Sequence, residues 1–154
     1  MRLDRYLLEH QTIALNREVA NWQEAVRLCV QLLEDSGAVT SEYYDAILEN
    51  HAKNGPYFVI VPSVAMPHAA PERGVNATGF SLVTLKNPVR FGHQEHDPVD
   101  IVLCIAAEDR KSLNEETIIQ VMDLLDHDDT VPKLRAARSL DDIESLFQNL
   151  FSGE

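Results

Sequence analysis

An α/β fold, one domain with a mixed parallel and antiparallel sheet and helices on both faces, is what three features of this sequence predict. Strand-length apolar runs fill the middle of the chain, amphipathic segments of helical period flank them on both sides, and the run Val99–Ala107 is apolar almost without interruption. Such a run belongs to a strand covered on both faces, so helices must lie on each side of the sheet. A chain of 154 residues with 45% hydrophobic content buries a core of its own, and no Pro/Gly/Ser-rich linker divides it, so residues 1–154 read as a single domain.

The elements follow in order. Ile13, Ala14 and Leu15 form a short strand. Trp22, Ala25, Val26, Cys29, Val30 and Leu33 recur at helical spacing and stop before Ser36-Gly37. A second helix carries Tyr43, Tyr44, Ile47, Leu48 and His51, with Thr40 or Ser41 as N-cap, and breaks at Asn54-Gly55-Pro56. Tyr57–Val61 reads as a buried strand, Gly79–Leu85 as another, and Lys86-Asn87-Pro88 as a turn before Val89-Arg90-Phe91. After Val99–Ala107 comes a helical face of Ile118, Ile119, Val121, Met122 and Leu125. A short helix is allowed over Pro132–Ala137, and a last one runs through Ile143, Leu146, Phe147 and Leu150. Ser139-Leu140-Asp141-Asp142 has the capping-box spacing at its start.

Composition excludes several classes of function. A formal charge of −12 repels nucleic-acid backbones and anionic membrane surfaces. The first residues carry scattered charges rather than the apolar core of a signal peptide, and no stretch reaches the roughly 20 apolar residues of a membrane span, which points to a cytoplasmic protein. Cys29 and Cys104 each sit inside an apolar periodic segment and read as two reduced core thiols.

The chemistry centres on His68. The run Tyr57-Phe58-Val59-Ile60-Val61 leads through Pro62-Ser63-Val64-Ala65-Met66-Pro67 to this histidine, and Ala69-Ala70-Pro71-Glu72-Arg73-Gly74 follows. Pro67 fixes its own φ and holds Met66 extended, so the imidazole is presented stiffly where the chain turns. A rigid imidazole suits reversible covalent chemistry; a loop histidine without a chemical role fits this stretch equally well. His93-Gln94-Glu95-His96-Asp97 groups two imidazoles with carboxylates, but its spacing matches no helical metal pair. His10 and His127 sit among polar residues, and His51 lies on the apolar face of its helix as a half-buried histidine.

The sequence resembles the enzyme IIA components of the bacterial sugar phosphotransferase system, of the mannitol and fructose type, and within it the ascorbate-specific branch. The resemblance is carried, in the family's order, by Gly55-Pro56-Tyr57-Phe58-Val59, Ala65-Met66-Pro67-His68, Pro71-Glu72, Gly74-Val75, Thr78-Gly79-Phe80, Leu82-Val83-Thr84-Leu85-Lys86, Pro88, Asp97-Pro98-Val99-Asp100-Ile101 and Ala106-Ala107. It spans Tyr43-Tyr44 to Leu134-Arg135-Ala136, nearly the whole chain.

The resemblance implies a phosphotransferase in which His68 takes a phosphoryl group from the phosphohistidine of the carrier HPr and passes it to a cysteine of the cognate IIB component, which serves the membrane IIC component. Ascorbate is the sugar implied. Imidazole is partly neutral near pH 7 and attacks phosphorus without a separate strong base, and the transition state then needs positioning and hydrogen-bond donors rather than a metal or other cofactor. Candidate donors are the backbone around Ala69 and Ala70, then Ser63, then Arg73; His93 matches a histidine of the ascorbate branch. The family's second histidine falls on Leu113, and the mannitol branch's helical arginine is missing near Asn50, where Lys53 is the available cation. His51, Lys111, Ser112 or His93 are the residues open to substitute. The Leu113 departure also keeps a regulatory module, whose phosphorylation state a partner reads, as the alternative to an active carrier. A metal-dependent hydrolase using His93 and His96 is a third class.

Overall fold

Five strands pair into one sheet in the order β1-β4-β5-β3-β2 in the computed structural model of the chain, which describes residues 2–151. They are β1 (Ile13–Arg17), β2 (Val59–Val61), β3 (Val64–Ala65), β4 (Gly79–Val89) and β5 (Val99–Ala106). The long antiparallel pair runs from Gly79↔Ala106 to Val89↔Val99; β1 lies parallel to β4, and β3 parallel to β5. The sheet is therefore mixed, as the sequence predicts. Ile101, Val102, Leu103, Cys104 and Ile105 are each at most 1% exposed. Since successive side chains of a strand point to opposite faces, β5 is covered on both.

The helices are α1 (Leu3–His10), α2 (Trp22–Asp35), α3 (Glu42–Asn54), α4 (Arg110–Ser112), α5 (Ile118–Leu125), α6 (Thr130–Ala136) and α7 (Leu140–Phe151), with a π-helical turn, Leu113–Thr117, joining α4 to α5. Helix α2 packs on β4 and β5, where the Ser81 hydroxyl donates to the Cys29 carbonyl at 2.9 Å. Both cysteines are buried free thiols. Two helix starts are fixed by reciprocal side-chain caps. Asn21 accepts from the Glu24 amide while Glu24 accepts from the Ala20 amide. Ser139 accepts from the Asp142 amide while Asp142 accepts from the Arg138 amide, as the capping-box spacing predicts. Among the described residues no helix is long and apolar enough to cross a membrane.

Several boundaries differ from expectation. Strand β2 begins at Val59, which leaves Tyr57 outside it and 37% exposed. Lys86-Asn87-Pro88 is not a turn: β4 continues through it, exposed, with its register on β5 shifted between Thr84 and Val89. Ser41 stands at the N-cap of α3 but makes no side-chain cap, because its backbone is already helical. Helix α1 is an element beyond those that the sequence pattern predicts; Leu3, Tyr6 and Leu7 supply a buried face at helical spacing between its charges.

Candidate functional site

Strand β3 delivers His68 to the end of the sheet. The chain stays tethered on both sides after the strand: the Met66 amide donates to the Phe58 carbonyl at 2.7 Å, and the Ile105 amide donates to the Pro67 carbonyl at 3.2 Å. With Pro67 fixing the intervening φ, the backbone that carries the imidazole is anchored to Phe58, just before β2, and to β5 up to the residue before it.

The ring is oriented as firmly. His68 Nδ1 lies 2.8 Å from the Met66 main-chain oxygen. A carbonyl only accepts, so Nδ1 carries the hydrogen and the lone pair of the neutral ring sits on Nε2; the tautomer is assigned from this contact. Burial lowers the His68 pKa below its ordinary value, while the bond to Met66 pulls the other way. Desolvation thus favours the neutral ring, the form with a nucleophilic nitrogen.

The peptide that follows His68 is gripped on both edges by tyrosine hydroxyls. Tyr57 Oη donates to the His68 carbonyl at 2.6 Å, and the Ala69 amide donates to Tyr43 Oη at 3.1 Å. Tyr43 is fully buried on α3 and passes its own hydrogen to the Ile105 carbonyl at 2.6 Å, while Tyr57 accepts from Asn50 Nδ2 at 2.9 Å. The Tyr57 and His68 rings meet edge to face, with centroids 5.4 Å apart. The sequence gives Tyr43, Tyr57 and Asn50 no hydrogen-bonding role at His68; it places Tyr43 on an apolar helix face and Tyr57 in a buried strand.

Beyond His68 the chain lines a cavity of about 230 Å³ in which Ala69, Ala70 and Arg73 face Glu49, Asn50 and Lys53 of α3. Small side chains at two of these positions leave room for a tetrahedral anion. The Ala69 amide is turned inward to Tyr43 and away from this role. Arg73 donates through Nε to Glu42 at 3.0 Å and through Nη1 to Glu49 at 2.8 Å, and Arg110 of α4 reaches Glu72 at 3.2 Å. The hydrogen bond and charge of Arg73 lower the Glu49 pKa.

Ser63 and His93 are not brought to this place. Ser63 turns the β2–β3 hairpin with φ 68°, its carbonyl accepts from the Asp100 and Ile101 amides, and its hydroxyl accepts from Arg135 at 2.8 Å. Its tether at Ile101 and that of Pro67 at Ile105 are separated by about 13 Å at strand spacing. His93 accepts two main-chain amides, from Glu95 and His96, on Nδ1 at 3.1 Å, and its ring stacks on His96 at 4.5 Å. The Ser63 amide donates to the His96 carbonyl, so this pair belongs to the hairpin end. Among the described residues no group of three or more His, Cys, Asp or Glu side chains is placed to hold a metal.

Leu113, the position of the expected second histidine, is 9% exposed in the π-helical turn, where the Thr117 hydroxyl donates to its carbonyl at 2.9 Å. His51 is held by a 3.0 Å contact of Nε2 with the Phe91 carbonyl and by stacking on Trp22 at 4.0 Å. Ser112 faces a separate cavity with Tyr6, His10 and Glu116.

The chain matches the family described as "Phosphoenolpyruvate-dependent sugar phosphotransferase system, EIIA 2" over residues 6–150. It is 44% identical over 146 residues to the ascorbate-specific PTS system EIIA component of Escherichia coli (strain K12), covering 95% of each chain. Among solved structures, it superposes on the mannitol-specific cryptic phosphotransferase enzyme IIA CmtB from Escherichia coli with a TM-score of 0.83 and 31% identity, over 97% of this chain and 99% of that one. A complex of enzyme IIAMTL with phosphorylated enzyme IIBMTL from Escherichia coli matches with a TM-score of 0.78 and 28% identity, over 90% and 95% of the two chains.

Proposed function

The chain belongs to the EIIA type 2 family of the phosphoenolpyruvate-dependent sugar phosphotransferase system, and on that premise we propose that His68 is the residue that carries the phosphoryl group, through Nε2. The protein is a phosphocarrier of the system and acts as a phosphotransferase. The observation that carries the assignment to His68 is the contact of Nδ1 with the Met66 carbonyl, which leaves Nε2 as the nucleophile.

The transfer balances without a separate base. The Nε2 lone pair forms the new N–P bond as the N–P bond of the donor's phosphohistidine breaks, and the electron pair returns to the donor ring. His68 becomes an N-phosphorylated ring that keeps its Nδ1 hydrogen and takes on positive charge. The Met66 carbonyl bonds that hydrogen more strongly as the charge grows, an interaction worth more in the transition state than in the ground state. This reading directs the phosphoryl group toward the cavity lined by the residues after His68, where Arg73 and Lys53 are the lining cations. Positioning and charge are what such a loose transition state needs.

HPr is the donor in this reading and a cysteine of the cognate IIB component is the acceptor, which the complex of a related IIA with phosphorylated IIB supports. The likeness to ascorbate-specific relatives supports ascorbate uptake through the associated IIC component, with the protein in the cytoplasm. Incubation with enzyme I, HPr and phosphoenolpyruvate should give an acid-labile phosphoprotein that His68→Ala abolishes; an unlabelled wild type overturns the reading. A regulatory role draws on Leu113, which puts an apolar side chain where the resemblance places a second histidine. Passage of label to a purified ascorbate-type IIB supports the carrier, and stable label that no IIB in a panel accepts supports the regulatory module.

A further inference from the structure

We infer that Tyr57, oriented by Asn50, is a positioning residue for His68: its hydroxyl locks the peptide that follows the histidine and so fixes the line along which Nε2 meets phosphorus. The inference rests on the assignment of the phosphoryl group to His68.

Every hydrogen in the contact has a single place to go. The Tyr57 hydroxyl has one hydrogen, and the His68 carbonyl, which only accepts, takes it at 2.6 Å. The Tyr57 oxygen then accepts from Asn50 Nδ2 at 2.9 Å, and Asn50 Oδ1 accepts from Asn54 Nδ2 at 2.9 Å. Because the Tyr57 hydrogen is spent on His68, Asn50 presents its NH2 to Tyr57 and its Oδ1 to Asn54, which sets the amide orientation of both asparagines. Bonds joined head to tail in this way polarise one another, and the chain ends on the histidine's own carbonyl. Burial raises the Tyr57 pKa to about 12, so the hydroxyl stays a donor across the physiological range.

Geometry says what the lock acts on. With the His68 carbonyl held by Tyr57 and the Ala69 amide held by Tyr43, the peptide plane between the two residues cannot rotate without breaking a bond at one edge. The Tyr57 ring stands edge-on to the imidazole, an interplanar angle of 78°, and walls one side of it. Met66 fixes the ring from within, and Tyr57 fixes the backbone from without. The two tyrosines differ in kind: Tyr43 is fully buried, whereas Tyr57 sits at the rim of the site and is 37% exposed. Misplacing a reacting atom by about 1 Å can cost on the order of 10²-fold in rate, so relaxing one of two constraints is expected to cost about 10-fold.

The test is steady-state phosphorylation by enzyme I, phosphoenolpyruvate and a titration of HPr, on wild type, Tyr57→Phe, Asn50→Ala and the double variant. Tyr57→Phe is expected to lower kcat about 10-fold with KM for phospho-HPr unchanged. Asn50→Ala should lower it less, and the double variant no further than Tyr57→Phe, since one chain of bonds is being cut. The ring nitrogen shifts of His68 in the same variants should show the Nε2–H tautomer gaining population. Unchanged kcat in Tyr57→Phe, additive losses, or a change confined to KM would each overturn the inference, the last by making Tyr57 a docking contact. A wild type that takes no label fails the His68 assignment itself, which separates the two outcomes.

Discussion

His68 Nδ1 donates to the Met66 main-chain oxygen two residues earlier, at 2.8 Å, and this bond leaves the lone pair of the neutral ring on Nε2. Burial, the larger influence, holds the ring's pKa below its ordinary 6.5, so at neutral pH it is already in the attacking form. The acid-side fall in the rate of phosphorylation is therefore expected to be centred below 6.5, at more acidic pH than an unperturbed histidine gives. A rate–pH profile measured with HPr saturating would check this; a decline centred at or above 6.5 would contradict it.

Stability should carry the same signature. With its folded pKa below the unfolded value, His68 binds a proton less readily in the folded state, so folding stability rises with pH across that window. The contribution is complete above about 6.5, the unfolded value, and is lost as pH falls through the lowered folded value. Urea midpoints of wild type and His68→Gln, compared from pH 7.5 downward, should show a steeper acid loss in wild type. Parallel curves would mean that the imidazole is not desolvated as the structure has it.

Arg73 and Glu49 join the loop after His68 to helix α3 through an exposed ion pair, with Glu42 on the same guanidinium. Because the hydrogen bond from Arg73 is the largest cause of the lowered Glu49 pKa, Arg73→Ala should let that carboxyl return toward its ordinary 4.5, read by NMR titration. The melting temperature should move little, since exposed pairs contribute weakly. Phosphorylation is expected to slow by about 10-fold, as befits loss of an exposed rather than enclosed charge partner.

Sequence patterning reached the framework and marked His68, but not the groups hydrogen-bonded around it. Strand β5 was legible because burial on both faces leaves a continuous apolar run, and His68 because Pro67 and the small residues after it mark a stiff turn. Nearness in sequence puts Ser63 beside His68, and family likeness puts His93 there. Extended backbone instead carries His68 to the other end of the sheet from Ser63, so five residues of separation become a long distance. Lys86-Asn87-Pro88 imitates a turn, yet an exposed, register-shifted stretch of β4 tolerates the proline. Tyr43, Tyr57 and Asn50 act through hydrogen bonds between elements, which leave no periodic trace in a chain.

Tyr43 is where stability and site meet. Its hydroxyl accepts from the Ala69 amide and donates to the Ile105 carbonyl inside the protein. Tyr43→Phe keeps the ring and the packing but strands a buried donor and a buried acceptor. The cost expected is roughly 2–4 kcal/mol, measured by urea unfolding, since each buried group left unpaired costs about 1–3 kcal/mol. Hydrogen exchange at the Ala69 amide should accelerate in step. A loss below about 0.5 kcal/mol would show that water replaces the hydroxyl and that the peptide is not sealed as described.

Gly74 closes the loop that begins at His68, and it is a position where the backbone demands glycine. Its φ is +94°, and a Cβ built there would lie 2.6 Å from Thr40 Oγ1 and 3.2 Å from the Tyr43 amide nitrogen. The Gly74 carbonyl accepts from the Thr40 amide at 2.8 Å, so the strained residue cannot drift outward without losing the bond that pins the loop to the start of α3. Gly74→Ala combines a left-handed backbone cost of about 1–2 kcal/mol with crowding against main chain, for an expected loss of roughly 2–4 kcal/mol in denaturant titration. Arg73 precedes this residue and Tyr43 follows the Thr40 contact, so the same substitution should also slow phosphorylation of the folded fraction. Gly37, whose φ is +87° with nothing within 4 Å of an added Cβ, supplies the control: Gly37→Ala meets the backbone cost alone and should leave the phosphorylation rate as in wild type.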